Sequence, residues 1–471
     1  MKRYLAPILL LVAFHASAVR VNPQGVGEVL LVPYYTVNNG LNTTVTVTNT
    51  TEEVKAIKIN IRESLNGYSV SSYNVYLSAF DSWSFVMGAY PSSADGYAGQ
   101  EFAALASSDN SCAPMLNKSA HEFNPHVLVN GSEDINRGRE GFIEIIEMGV
   151  LEGQLAAAAT MTGSGVPNNC ALLESAWDNA GSWDVNPNRN LLPVTGGLTA
   201  EVDMIDVAQG INYSLPVVAL EDFFAEGSIH HTEPGDDSVS LDLAAPMASV
   251  YANKKSYQLS FERGIDAVSA VLMADKVMST YNYEADVSGQ NETVYTQPTR
   301  RFYQSSPGYI SHTPFPTSNA NGCSRDQVYG GVELQQAIWD RESQYNTTAG
   351  GVGGVPQPPN NSFCGSVFVQ SFVSPGSNQS KSPLTQSNNF QVLFGVSGGS
   401  EQGFTRVGFV DTRPLVGIDI NTDKTVHLMG LPIIGVTLKR FTNNNAAPGI
   451  MAQYGFSQPI KKKIRLIEID Y

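Results

Sequence analysis

Two-residue alternation of apolar and polar side chains constrains this chain more than any other feature. Thr43–Asn49 reads T-T-V-T-V-T-N, with Val45 and Val47 on one side and Thr44, Thr46 and Thr48 on the other. A helix would scatter these residues, whereas a strand sends them to opposite faces, one packed and one wet. The pattern returns at Ile57, Ile59 and Ile61, then at Tyr73, Val75 and Leu77, then at Trp83, Phe85 and Met87. Strands at this spacing, divided by Asn-Gly and Gly-rich turns, lead to a mainly β fold. The expected architecture is an antiparallel β-sandwich of immunoglobulin-like character, with a few short helices and long polar loops.

The run before the threonines, Glu28–Val37, is apolar apart from its ends and contains Pro33. Proline cannot donate to a ladder and belongs at a sheet edge or a bulge, so this segment is expected as the edge strand of the sandwich. Asn38-Asn39-Gly40 supplies the positive-φ residues of a tight hairpin. Further along, Gly141–Val150 and Tyr257–Phe261 read as strands. Asp266–Tyr281 reads as a helix with Asp266 as N-cap. Residues 305–389 are rich in Gly, Asn, Ser, Pro and Gln and are expected as a loop-rich insertion. Strand patterns resume at Phe390–Phe394, Thr405–Val410, Val416–Ile420, Thr425–Met429 and Ile433–Phe441.

Residues 1–18 have the form of a secretion signal: Lys2 and Arg3, an apolar stretch Leu5–Phe14, and the small residues Ala16-Ser17-Ala18. The stretch is too short to cross a bilayer, which takes about 20 residues. The expected protein is therefore exported and not membrane-spanning, with residues 19–471 as one large β-rich domain. Removing the leader leaves 26 basic against 44 acidic residues, so the formal charge moves from −16 to −18. A field of that sign disfavours nucleic acid as a partner. Four cysteines, Cys112, Cys170, Cys323 and Cys364, allow three pairings in an oxidising compartment. Cys112–Cys170 and Cys323–Cys364 are favoured, because each closes a long polar segment where cross-linking constrains the unfolded chain most.

No motif fixes a reaction. Gly395–Gly399 matches G-x-S-x-G around Ser397, but a strand-like run follows it instead of the helix that a nucleophile elbow needs. His121 and His126 miss the i, i+4 spacing of a helical zinc pair. His230-His231 with Glu233, Asp236 and Asp237 forms the richest cluster of ligand types, set in a polar Pro-Gly loop. Asp419, Asn421 and Asp423 imitate a calcium loop, yet Lys424 replaces its glycine and Gly430 its final glutamate. Asp184–Asn190 fails similarly at Arg189. Glu144 and Glu147 fall three apart on a strand, so they face opposite ways and do not make an acid/base pair. Arg137 and Arg139, just upstream, are their expected partners. The final K-K-K-I-R-L-I-E-I-D-Y suggests the closing strand of an outer-membrane barrel at Ile467, Ile469 and Tyr471. Arg465 and Lys463 on the same face, and the want of further lipid-facing strands, favour an ordinary last sheet strand.

Several blocks together resemble a family of exported, cell-surface-type proteins of Gram-negative bacteria. They are EVLLVPYYTVNNGLNTTVTVTNTT, NVYLSAFDSW, GREGFIEIIEMG, PVTGGLTAEVDMIDVAQGINYS and VYTQPTRRFY. Weaker similarity surrounds Cys323, Asp340–Glu342 and Cys364. The chain departs from the family pattern just before VYTQPTRRFY, where Glu292-Thr293 replaces a tryptophan. The resemblance implies export and a shared β-rich fold and carries no catalytic residue.

These readings converge on a secreted or cell-surface structural or interaction protein without intrinsic catalysis, able to assemble through sheet edges. Expected partners are other copies of the chain or cell-surface components. No cofactor is expected, calcium being the one ion left open. Two alternatives stand beside this. One is a secreted hydrolase built from His230, His231, Asp236 and Glu144; the other is a calcium-dependent surface or glycan binder.

Overall fold

The computed structural model describes residues 18–92, 97–124, 135–306, 309–310, 313–315, 331–346, 362–373, 380–393, 400–410 and 412–469. It is mainly β, with several antiparallel sheets. A seven-stranded sheet runs Arg20–Asn22, Val218–Glu221, Val29–Thr36, Glu140–Leu151, Lys55–Glu63, Ser69–Leu77, with Leu191–Leu192 pairing onto Glu140–Leu151. A six-stranded sheet runs Ile211–Leu215, Leu198–Asp206, Leu41–Asn49, Ser82–Pro91, Glu101–Ala106, His121–Glu122. Their inner faces share one core. Leu30, Val32, Ile57, Ile59, Ile61, Ile143 and Ile145 meet Val45, Val47, Trp83, Phe85, Val202 and Met204. Burying each isoleucine contributes about 2–3 kcal/mol, so alternation alone goes far to hold the two layers together. Thr44, Thr46 and Thr48 lie on the outer side, as the sequence pattern requires.

The seven-stranded sheet departs from simple alternation because it is covered on both faces. Val29–Thr36, Lys55–Glu63 and Glu140–Leu151 are buried along their whole length. The opening run is therefore an interior strand, not an edge: Val29–Thr36 lies between Val218–Glu221 and Glu140–Leu151. Pro33 is accommodated by a bulge, where the register shifts between Val32 and Tyr35. Asn39 and Gly40 do take positive φ, at 51° and 81°. Their turn joins strands of different sheets and makes no hairpin.

Three larger sheets form the second half. One runs Met247–Ala252, Lys255–Ser260, Leu415–Asp419, Lys424–Met429, Arg465–Ile469. Another runs Tyr345–Asn346, Gly331–Asp340, Gln402–Phe409, Lys276–Asn282, Lys461–Lys463. The third runs Phe390–Leu393, Val367–Phe372, Gln290–Thr296, Ile434–Ala447, Ile450–Pro459; its pair of Val367–Phe372 with Phe390–Leu393 is parallel. One apolar cluster runs from Val19 and Ile146 of the first half to Leu428 and Leu466 of the second.

The expected helix Asp266–Tyr281 is only half helical. It spans Gly264–Leu272, with Arg263 as N-cap, and the chain then becomes strand at Met273–Ala274 and Lys276–Asn282. The reason is visible in the residues: Val277, Ser279 and Tyr281 point inward with period two. The stretch 305–389 also contains more strand than its composition suggests, at Gly331–Asp340, Ser362–Cys364 and Val367–Phe372. Glutamines conceal this pattern, since Gln336 is buried and donates to Gln391.

Candidate functional site: a sheet edge without charge

The residues with the strongest chemical potential are used inside the fold. On the face of the seven-stranded sheet turned away from the sandwich lie Lys58, Asn60, Arg62, Asn74 and Glu144, all buried. The segment Thr232–Val239 crosses them outside any β ladder, its Gly235 N–H donating to Ser72 O at 3.1 Å, and the sheet's side chains satisfy several of its carbonyls. Lys58 donates to Glu233 O at 2.7 Å, Asn60 to Val239 O at 2.9 Å, Asn74 to Thr232 O at 2.8 Å and Ser72 to Asp236 O at 3.0 Å. Unpaired backbone carbonyls would otherwise be buried at a cost, which gives these polar side chains a structural task. Burial brings Lys58 down to about 7, against the opposing pull of Asp236, Asp237 and Glu233.

His230 and His231 do not converge with Asp236 and Glu144. His231 is buried within a cage of Tyr76, Trp177 and Trp183, with the Trp183 ring 4.6 Å away. Its Nδ1–H donates to Pro187 O at 2.6 Å, so its Nε2 accepts from Tyr76 OH at 2.8 Å. Trp177 Nε1–H donates to the same Tyr76 oxygen at 3.1 Å. Burial pushes His231 down to about 3, a basicity too low for a general base near neutrality. His230 stacks on Phe224 at 4.7 Å. Glu144 is held by Arg62 Nε at 3.0 Å and by Arg301 Nη2 at 3.6 Å.

The other sequence candidates are also accounted for. Arg137 and Arg139 pair with Glu63 and Glu101, not with Glu144 and Glu147. Glu147 meets Lys55 at 2.9 Å instead, because the strand Lys55–Glu63, and not the upstream turn, lies beside it. Asp419 is buried and accepts from Asn421 N and Thr422 Oγ1, so it caps the turn between two strands. Asp184 accepts from Ala180 N, and Asn188 from His231 N. Among the described residues no group of three or more His, Cys, Asp or Glu is placed to hold a metal ion. Cys112 and Cys170 form a disulfide with Cα atoms 5.3 Å apart. Cys323, proposed for Cys364, lies outside the described residues, as do His126, Ser397, Tyr471 and residues 1–17 of the leader. No described helix is long and apolar enough to cross a membrane.

What the fold does present is a long hairpin, Ile434–Ala447 with Ile450–Pro459. Its base is packed, with Ile434, Val436 and Leu438 buried. Its outer half keeps one face on the sandwich: Ser457 Oγ donates to Ser214 O, Gln453 to Gln209 and Arg440 pairs with Asp206 at 3.7 Å. Gly455 allows this approach, since a Cβ there would lie 2.5 Å from Ile211 Cγ2. The other face holds Phe441 opposite Tyr454 and Lys439 opposite Phe456, with the Phe441 and Phe456 rings 6.0 Å apart. Ile450 is 57% exposed, Met451 56%, Tyr454 53% and Phe456 52%. Among the described residues Ile450–Pro459 pairs with no strand except Ile434–Ala447.

Such edges usually carry lysines, prolines or bulges that stop further pairing. Residues 441–460 contain no charged side chain; Pro448 sits in the turn, Pro459 at the end of the strand, and the register shift between Asn443 and Ala447 falls at the turn end of the hairpin. This site was not singled out from sequence, although the charge-free run just before Lys461-Lys462-Lys463 was there to be seen. No family model, curated protein or solved structure matches the chain.

Proposed function

We propose that the protein is an exported structural component that assembles with copies of itself by pairing Ile450–Pro459 edges across a two-fold axis. The observation that carries this reading is the uncharged, half-apolar open edge of that strand. Two strongly acidic chains, of net charge −18 once the leader is removed, repel at most approaches, so association is favoured where the surface holds no charge. Antiparallel self-pairing of one edge is isologous and closed: the same patch serves both copies. Tyr454 and Phe456 of both copies then lie on one side of a four-stranded sheet beside Phe441, and the outward N–H and C=O groups find partners. The contact breaks and makes no covalent bond. The leader-like residues 1–18 support export, and an oxidising compartment suits the Cys112–Cys170 bridge.

Hydrogen exchange followed by mass spectrometry tests the contact. Amides of residues 450–459 should become more protected as protein concentration rises, while those of Leu41–Asn49 stay unchanged. Protection of 450–459 that is independent of concentration would reject the edge as the contact.

A further inference from the structure

We infer that the outer face of the sheet Gly331–Asp340, Gln402–Phe409, Lys276–Asn282, Lys461–Lys463 is a second binding surface, for a linear acidic polysaccharide. Antiparallel register arranges its outward side chains in rows. The first row is Lys463, Lys276, Gly408 and Gln335; the second is Lys461, Met278, Arg406 and Ala337; the third is Thr280, Phe404 and Trp339. Lys439 joins the third row from the neighbouring sheet, donating to Thr280 Oγ1 at 2.7 Å. The alternate residues Val277, Ser279, Tyr281, Thr405 and Val407 point inward and are buried, which fixes the outward side.

Three features point to a polyanion. Lys276 stands directly opposite Lys463, an arrangement that weakens strand pairing when nothing offsets it. None of Lys276, Arg406, Lys439, Lys461 and Lys463 is in an ion pair with a described residue. Yet the chain carries 44 acidic residues that could have served. Gly408 leaves a shallow place between Lys276 and Gln335, where a Cβ would meet nothing closer than 3.8 Å. Successive rows are separated by about 6.8 Å and strands by about 4.8 Å, so the cations form a grid that a flat, extended chain can follow.

The aromatic row selects among polyanions. Trp339 and Phe404 stack on each other at 4.7 Å, with the Arg406 guanidinium 4.9 Å from the Trp339 ring. This makes an apolar ridge beside the cations, suited to the C–H faces of pyranose rings. Duplex nucleic acid carries a charge about every 1.7 Å, a density that cations in rows about 6.8 Å apart do not match. A polyuronate, with one carboxylate per sugar and apolar ring faces between them, matches both halves of the surface.

The test uses the full-length protein with polygalacturonate, neutral dextran and single-stranded oligothymidylate, by isothermal titration and affinity electrophoresis. Polygalacturonate should bind at low salt, with affinity falling as salt rises, and dextran should not bind. Lys276→Gln/Lys461→Gln/Lys463→Gln should weaken binding at least about tenfold, since three counter-ion contacts are lost. Lys254→Gln, an exposed change outside this sheet, should leave it unaltered. Phe404→Ala should weaken polygalacturonate binding at constant salt slope. Absence of polygalacturonate binding, equal binding by the triple variant, or tighter binding of the oligonucleotide would overturn the assignment. Dimerisation through Ile450–Pro459 is measured separately, so either proposal can fail alone.

Discussion

His231 offers a prediction whose size follows from its surroundings. Its imidazole must stay neutral to accept from Tyr76 OH while donating to Pro187 O. Protonation would place a second donor against a hydroxyl whose own proton points at the ring. Burial holds the folded pKa at about 3, whereas an unfolded histidine titrates at the ordinary 6.5. Below pH 6.5 the unfolded chain thus takes up a proton that the folded one refuses, and stability falls as pH falls. The contribution is complete above pH 6.5 and is lost progressively towards pH 3. At about 1.4 kcal/mol per pH unit, the loss between pH 6.5 and 4.5 is about 2–3 kcal/mol. His231→Gln keeps a donor and an acceptor but does not titrate. The buried carboxyls Glu28, Glu140, Glu147 and Glu292, which burial raises, act alike in both proteins and cancel in the difference. Urea denaturation at stepped pH should find the wild type ahead near pH 7 and its lead narrowed by about 2–3 kcal/mol at pH 4.5. Parallel stability curves for the two proteins would refute the neutral, caged imidazole.

Removing Arg62 should be costly, because Glu144 would lose its 3.0 Å partner while remaining buried. Arg62→Met is expected to destabilise by about 3 kcal/mol, the low end for a broken buried pair, since Arg301 still faces Glu144; chemical denaturation reads this. Cys112→Ser/Cys170→Ser opens a link between residues 58 apart in sequence. It should cost about 3–4 kcal/mol through the unfolded ensemble, seen as a lower midpoint in urea.

Much of the fold was legible in the sequence wherever a sheet had one wet face. Thr43–Asn49 shows its layer directly, because Val45 and Val47 meet the core while the threonines do not. The rule weakened for the sheet covered on both sides. There Lys58, Asn60 and Arg62 look solvated in sequence, but the loop Thr232–Val239 buries them and gives them carbonyls to bond. Pro33 was legible as an obstacle to pairing, yet whether it meant an edge or a bulge depended on which strands arrived beside it. The second half of Asp266–Tyr281 was misread because its apolar residues satisfy both periods in part, and pairing with Gln402–Phe409 decided for strand. The adjacent histidines stood out in sequence but not the cage around His231, because Tyr76 and the Trp177–Trp183 segment that form it are far apart in the chain and no local pattern connects them. The open edge was harder still, since what distinguishes it is the charge that residues 441–460 lack.

Sedimentation velocity over a range of concentrations tests the central claim of edge assembly most directly. The wild type should shift from one to two chains as concentration rises. Ala452→Lys/Tyr454→Lys, which places two cations on the shared edge and its mirror, should stay at one chain with unchanged circular dichroism. A wild type that remains a single chain at all concentrations, or a lysine variant that dimerises as well as the wild type, would contradict it.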